Sequence, residues 1–137
     1  MQAEMWAHPQ VLKLRYNVYA AAKQWNMALE IASFLHQQLP DESFGGNQAA
    51  IALHKLGRTQ EAKALALGLV TRFPKQWDLP YNLACYCAQL GELKEAEHWF
   101  KAARALNEDG AKRAGIEDPD LVPLWEGMWD TTWKKSG

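Results

Sequence analysis

Apolar and polar positions along the chain repeat on a short scale that predicts helices. From Leu93 to Leu106, apolar or small residues fall at Ala96, Trp99, Phe100 and Ala103. That spacing places them on one face at about 3.6 residues per turn. A second helical run precedes it, opening at Tyr81-Asn82-Leu83-Ala84 and closing at Leu90-Gly91. Gly91 suits the left-handed position that stops a helix. The pattern returns upstream as Gln48 to Leu56, then Gly57, then Thr59 to Phe73. Thr59 is a candidate N-cap there, and Pro74 closes the second run. The first stretch is looser. Its second helix runs through Met27, Ala28, Ile31, Ala32 and Leu35 with Asn26 as candidate cap, and Lys23 stands where the later stretches carry glycine.

On a longer scale the same residue types recur every 34 positions. Pro40 and Pro74, Gly57 and Gly91, and the series Ala28, Ala62, Ala96 all keep this step. So do Tyr16, Ala50, Ala84 and Tyr19, Leu53, Cys87. Several series in one phase define three segments, about 9–42, 43–76 and 77–110, each two helices joined by a short turn. Two antiparallel helices approach to about 8–10 Å only where their crossing carries small side chains. Ala50 and Ala84 on the first helices, with Ala62 and Ala96 on the second, supply that crossing. Tyr16 does not, and its ring must enter a gap or push the first pair apart. The expected fold is all-α.

Leu83-Ala84, Gly91, Ala96, Phe100 and Ala103 resemble the tetratricopeptide repeat, and Ala50, Gly57, Ala62 and Pro74 repeat the match. Tyr19, Ala28 and Pro40 carry it into the first segment, so that it covers about three-quarters of the chain. The resemblance implies a single domain, an α-solenoid of three antiparallel helix-turn-helix repeats in a right-handed superhelix. It also implies a concave surface, lined by the first helices, that binds a peptide or partner protein, with no chemistry of its own. Three repeats are about the minimum that buries a continuous core. On that geometry the inner surface carries Gln10, Lys13, Leu14, Asn17 and Ala21, then Phe44, Asn47, Gln48, Ile51, His54 and Lys55, then Asp78, Tyr81, Asn82, Cys85 and Gln89. Amides offer a donor and an acceptor to peptide backbone, and the aromatics suit an apolar side chain. One subfamily clamps the acidic tails of heat-shock chaperones. Lys13 and Asn17 match its first pair and Gln48 stands in for its second-repeat Asn. Asp78 and Asn82 replace the Lys and Arg of its third pair, which argues against that ligand.

Residues 111–137 fall outside the repeat. Asp118 before Pro119 signals a turn or helix start after a polar stretch from Asn107 to Gly115. A helix from Pro123 to about Lys134 then places Leu124, Trp125, Met128, Trp129 and Trp133 on one broad face. Repeat arrays close their last apolar face with an atypical element, so this helix is expected to cap the third repeat. Trp125, Trp129 and Trp133 are also candidates for an interface, including a homodimer contact in a self-associating or chaperone-like unit.

Composition narrows the function. The chain has 137 residues, 48% of them hydrophobic, with 15 Lys+Arg against 16 Asp+Glu. A net charge of −1 lacks the basic excess of a general nucleic-acid binder. No apolar run reaches the roughly 20 residues of a membrane helix, and Met1 to Leu14 shows no secretory pattern, so a cytoplasmic location is expected. His8, His36, His54 and His98 are scattered without metal spacing. Cys85 and Cys87, two apart on a helix, point about 200° from each other and do not share a zinc. Gly45-Gly46 follows no strand and is expected to be a simple turn into the second repeat rather than a phosphate loop. No catalytic set is found. The expectation is a non-enzymatic protein-binding module without cofactor or metal.

Overall fold

The computed structural model describes residues 8–128, which contain eight α-helices and no strand. These are α1 (Pro9–Ala21), α2 (Trp25–Gln38), α3 (Ser43–Lys55), α4 (Thr59–Arg72), α5 (Asp78–Gln89), α6 (Leu93–Leu106), α7 (Glu108–Glu117) and α8 (Val122–Met128). A 3-10 turn, Pro119–Leu121, links α7 to α8. No helix among the described residues is long and apolar enough to cross a membrane. Contacts cluster into two compact units that part between Leu65 and Ala66, inside α4.

The 34-residue period is written into the backbone. The positive-φ positions are Lys23 (59°), Gly57 (81°) and Gly91 (79°), one per period. Each turn closes with the same two bonds. The amides of Lys23 and Gln24 donate to the carbonyls of Ala20 and Tyr19, those of Gly57 and Arg58 to His54 and Leu53, and those of Gly91 and Glu92 to Ala88 and Cys87. This is the paired closure that satisfies the last carbonyls of a helix and turns the chain back. Lys23 adopts the glycine conformation despite its Cβ, at a cost of roughly 1–2 kcal/mol.

In the unit of residues 1–65, α1, α2 and α3 bury Leu12, Tyr16, Ala28, Ile31, Ala32, Leu35, Ala49 and Ala52 together. Tyr16 is buried in one cluster with Ala28, Ile31, Ala32 and Leu35 of α2 and reaches α3 as well. Its ring is buried, lies edge-on to Phe44 at 5.9 Å, and its hydroxyl donates to the Gln48 carbonyl at 3.3 Å. The bulk is thus directed toward α3. Burial pushes its pKa up to about 12. Gly45 and Gly46 are not a connecting turn but buried residues in the first turn of α3. A Cβ on Gly45 would meet the His36 amide nitrogen and lie 2.7 Å from the His36 Cα, so α3 rests directly on the α2 backbone.

In the unit of residues 66–137, Ala84, Cys87 and Ala88 of α5 and Ala96, Phe100 and Ala103 of α6 form the hairpin core. Ala111, Leu121 and Leu124 extend it, with Trp125 alongside. Burying a leucine fully is worth about 1.5–3 kcal/mol, so Leu121 and Leu124, each fully covered, hold the C-terminal segment down. Three local expectations are corrected. The stretch after Asn107 is helix α7, because the Asn107 side chain accepts from the Gly110 amide at 2.9 Å and Glu108 pairs with Arg104 at 2.9 Å. Asn followed by two acids is a helix-start signal. Asn26 lies inside α2, whose N-cap is Gln24, and Thr59 is the first residue of α4.

Urea unfolding of three variants tests the turn and the crossing. Lys23→Gly is expected to stabilise the chain by up to about 1 kcal/mol, and Gly91→Ala to destabilise it by about 1–2 kcal/mol. Gly45→Ala is expected to cost about 3 kcal/mol, because backbone has to move.

Candidate functional site

On the 34-residue step of the sequence, one column of positions is Lys13, Asn17, Ala21 on α1, Asn47, Ile51, Lys55 on α3 and, in the other unit, Tyr81, Cys85, Gln89 on α5, with members on one helix a turn apart. Spacing of i, i+4, i+8 keeps each trio on one helix face.

On α5 this face is taken up by the chain's own C-terminal segment. The Tyr81 hydroxyl donates to Asp118 Oδ2 at 2.6 Å, and the Cys85 thiol donates to the same oxygen at 3.6 Å. One turn on, Gln89 Nε2 donates to the backbone carbonyl of Asp120 at 2.9 Å. Asp118 has extended backbone, and its Oδ1 accepts from the Asp120 amide at 3.0 Å. Tyr81 is wedged between Trp77 (5.7 Å) and Phe100 (6.3 Å). Burial first, then the Asp118 carboxylate, drives the Tyr81 pKa far above its ordinary value. Burial, then the charges of Asp118 and Asp120, likewise raises the Cys85 thiol, which stays protonated and a poor nucleophile. Cys85 is buried, and neither it nor Cys87 is in a disulfide.

Ligand atoms of Cys85, Asp118 and Asp120 lie within 4.8 Å of one another, as do those of Cys87, Glu92 and Glu95. In the first group the Asp118 carboxylate is already engaged by three donors and the thiol holds its proton. In the second, Cys87 is fully buried in the hairpin core. Trp125 belongs to the packing of this unit. Its ring meets Phe100 edge-on at 5.0 Å and its indole N–H donates to the Gly115 carbonyl at 3.0 Å. Trp129 and Trp133 lie outside the described residues.

On α1 and α3 the column is more open. Lys13 pairs with Glu42 at 3.1 Å and lies 5.3 Å from the Phe44 ring centroid. Asn17 and Lys55 are exposed, whereas Phe44, Gln48 and Ile51 are half-buried. Asn47 is buried. In the unit of α5, Asp78 and Asn82 are half-buried and both engaged. The residues that sequence reasoning missed are Asp118 and Asp120 as partners of α5. They were visible only as a helix start, because a pairing 37 residues apart leaves no local signal. No protein-family model matches the chain, and no curated protein matches it.

The Asp118 seat is testable by stability. Asp118→Ala, which leaves the Tyr81 hydroxyl buried without its acceptor, is expected to cost about 2–3 kcal/mol. The alkaline limb carries a second signature. The folded state holds the Tyr16 and Tyr81 protons more tightly than the unfolded state, whose tyrosines lose theirs near 10.0. Stability is therefore complete below that pH and falls as pH rises above it. Tyr81→Phe and Tyr16→Phe should each flatten part of the fall, measured as unfolding free energy against pH.

Proposed function

We propose that the chain is a non-enzymatic protein-interaction module of tetratricopeptide type, and that α1 and α3 hold an extended acidic peptide along the inner column. One observation carries this reading. The α5 face of that column already receives the Asp118-Pro119-Asp120 turn, in which Asp118 is extended and opens a 3-10 turn, through carboxylate bonds from Tyr81 and Cys85 and a backbone bond from Gln89. One and two periods earlier the same column offers Lys55, Asn17 and Lys13, donors with more positive charge. Charge-assisted bonds to a carboxylate are roughly twice as strong as neutral ones. Lys13 lies over the Phe44 ring and pairs with half-exposed Glu42, and such exposed pairs are worth about 0–1 kcal/mol, so a ligand carboxylate replaces Glu42 at little cost. Gln48 and Asn17 supply amides for the peptide backbone, and Phe44 and Ile51 supply apolar contact.

A fluorescein-labelled peptide of sequence Ile-Glu-Asp-Pro-Asp-Leu, titrated with the full chain, tests this reading by anisotropy. Saturable binding is expected, weakened at least tenfold by combining Asn17→Ala with Lys55→Glu, at exposed positions that leave the melting curve unchanged. Replacing both aspartates of the peptide by asparagine should weaken binding by a similar factor. No saturation, or affinity indifferent to the double variant, overturns the reading.

A further inference from the structure

Glu42 occupies a helix-start position without serving it. It is the N-cap residue of α3, with extended backbone (φ −109°, ψ 139°), and its side chain makes no bond to the helix amides. N-cap positions favour short side chains such as Ser, Asp and Asn, whose oxygens reach those amides. The longer Glu42 carboxylate turns instead to α1, where its Oε1 accepts from Lys13 Nζ at 3.1 Å, across 29 positions of sequence. The Glu42 backbone is tied down, because its amide donates at 3.1 Å to the carbonyl of Leu39, the C-cap of α2. A closed turn between two helices of one unit thus presents the carboxylate to a third. Two residues on, the Phe44 ring lies 5.3 Å from the same ammonium and is itself met edge-on by Tyr16 at 5.9 Å. Lys13 therefore has two partners of different kinds. Phe44 packs against the core of its unit, whereas the Glu42 side chain is 51% exposed and has room to swing into solvent.

We propose that Glu42 is an internal competitor: its carboxylate stands on Lys13 until a ligand carboxylate takes that place, while Phe44 keeps the ammonium in position through the exchange. The inference rests on the acidic-peptide reading of α1 and α3. A carboxylate carried by the same unit acts at high effective concentration, so Lys13 is already paired when a ligand arrives. A ligand that brings a carboxylate breaks one ion pair and makes another. A ligand with a neutral group at that place has no pair to offer Lys13 and leaves Glu42 where it is. Glu42 therefore acts on selectivity, which is a difference between affinities, by denying ligands without a carboxylate the use of Lys13. Removing its charge has a definite consequence: the ligand then makes a pair where none is broken. Exposed pairs of this kind are worth up to about a factor of five in an equilibrium constant. The contrary role, in which Glu42 aims Lys13 at the ligand, has the opposite sign.

The labelled peptide Ile-Glu-Asp-Pro-Asp-Leu, titrated by anisotropy against the full chain and its Glu42→Gln variant, tests the proposal. The Glu42 side chain is half-exposed and caps nothing, so the fold tolerates glutamine there. Affinity is expected to rise about threefold to fivefold in Glu42→Gln. Asp41→Asn removes an equal charge one residue away and is expected to change affinity by less than about twofold, as a screened neighbouring charge does. Unchanged or weakened binding by Glu42→Gln, with saturation by the unaltered chain, overturns this proposal and leaves the acidic-peptide reading standing. An equal gain in Asp41→Asn overturns it as well, because the effect is then one of general charge and not of competition at Lys13. Saturation by neither the unaltered chain nor Glu42→Gln overturns both.

Discussion

The structure depends on a turn that reverses the chain within two residues while giving two carbonyls of the last helical turn a backbone partner. That turn needs one residue in the left-handed conformation, and the chain provides one at each of Lys23, Gly57 and Gly91. The two amide bonds that close each turn fix the direction in which the next helix leaves. Once the direction is fixed, the distance between helices is decided by the side chains at the crossing. Alanine at 28, 62 and 96 is fully buried in all three second helices, and glycine at 45 removes the side chain altogether where α3 meets the α2 backbone. Turn and crossing act together: a glycine at the turn without a small residue at the crossing would aim a helix at a partner it could not reach.

With the backbone repeated, differences between repeats reside in side chains at equal phase. The positions 16, 50 and 84 are Tyr, Ala and Ala, and the tyrosine is buried with α2 residues while its ring meets Phe44 and its hydroxyl the Gln48 carbonyl of α3. The positions 18, 52 and 86 are Val, Ala and Tyr. Ala52 and Tyr86 are buried, but Val18 is exposed. One column therefore carries three different volumes, and the two buried members show what the position is shaped to do when a neighbour is present. Burial here follows from the neighbour, not from the residue type alone.

Much of this was legible before any coordinates. The 34-residue step located α1 to α6, the left-handed glycines and the buried alanines, because all of these are set by local periodicity and by steric demands that few residue types meet. What escaped belongs to two kinds. Asn107 was read as part of a polar stretch, although an Asn-Glu-Asp start is local information, because the low hydrophobicity of Glu108–Glu117 outweighed the cap. The bond from Tyr81 to Asp118 escaped for a different reason: nothing near either residue announces a partner 37 positions away. The resemblance assigned Tyr81 and Cys85 to a ligand surface, and in the folded chain both are buried beneath Asp118 and Asp120.

The segment seated on α5 bears on the chemistry of the positions in this phase. Of the nine residues in phase, Lys13, Asn17, Asn47, Lys55, Tyr81, Cys85 and Gln89 can donate a hydrogen bond, and none is a carboxylate. A surface of donors is satisfied by acceptors. On α5, where the donors are neutral and half of the surroundings aromatic, one carboxylate and one backbone carbonyl suffice, and Asp118 supplies the charge within the chain. On α1 and α3 the donors include two ammonium groups, and the carboxylate that reaches Lys13 is Glu42, from the Asp41-Glu42 pair in the turn before α3. On the function proposed above, an acidic ligand would answer the donors of α1 and α3, and the bonds from Tyr81 and Cys85 to Asp118 are an example within the chain of donors in this phase receiving a carboxylate.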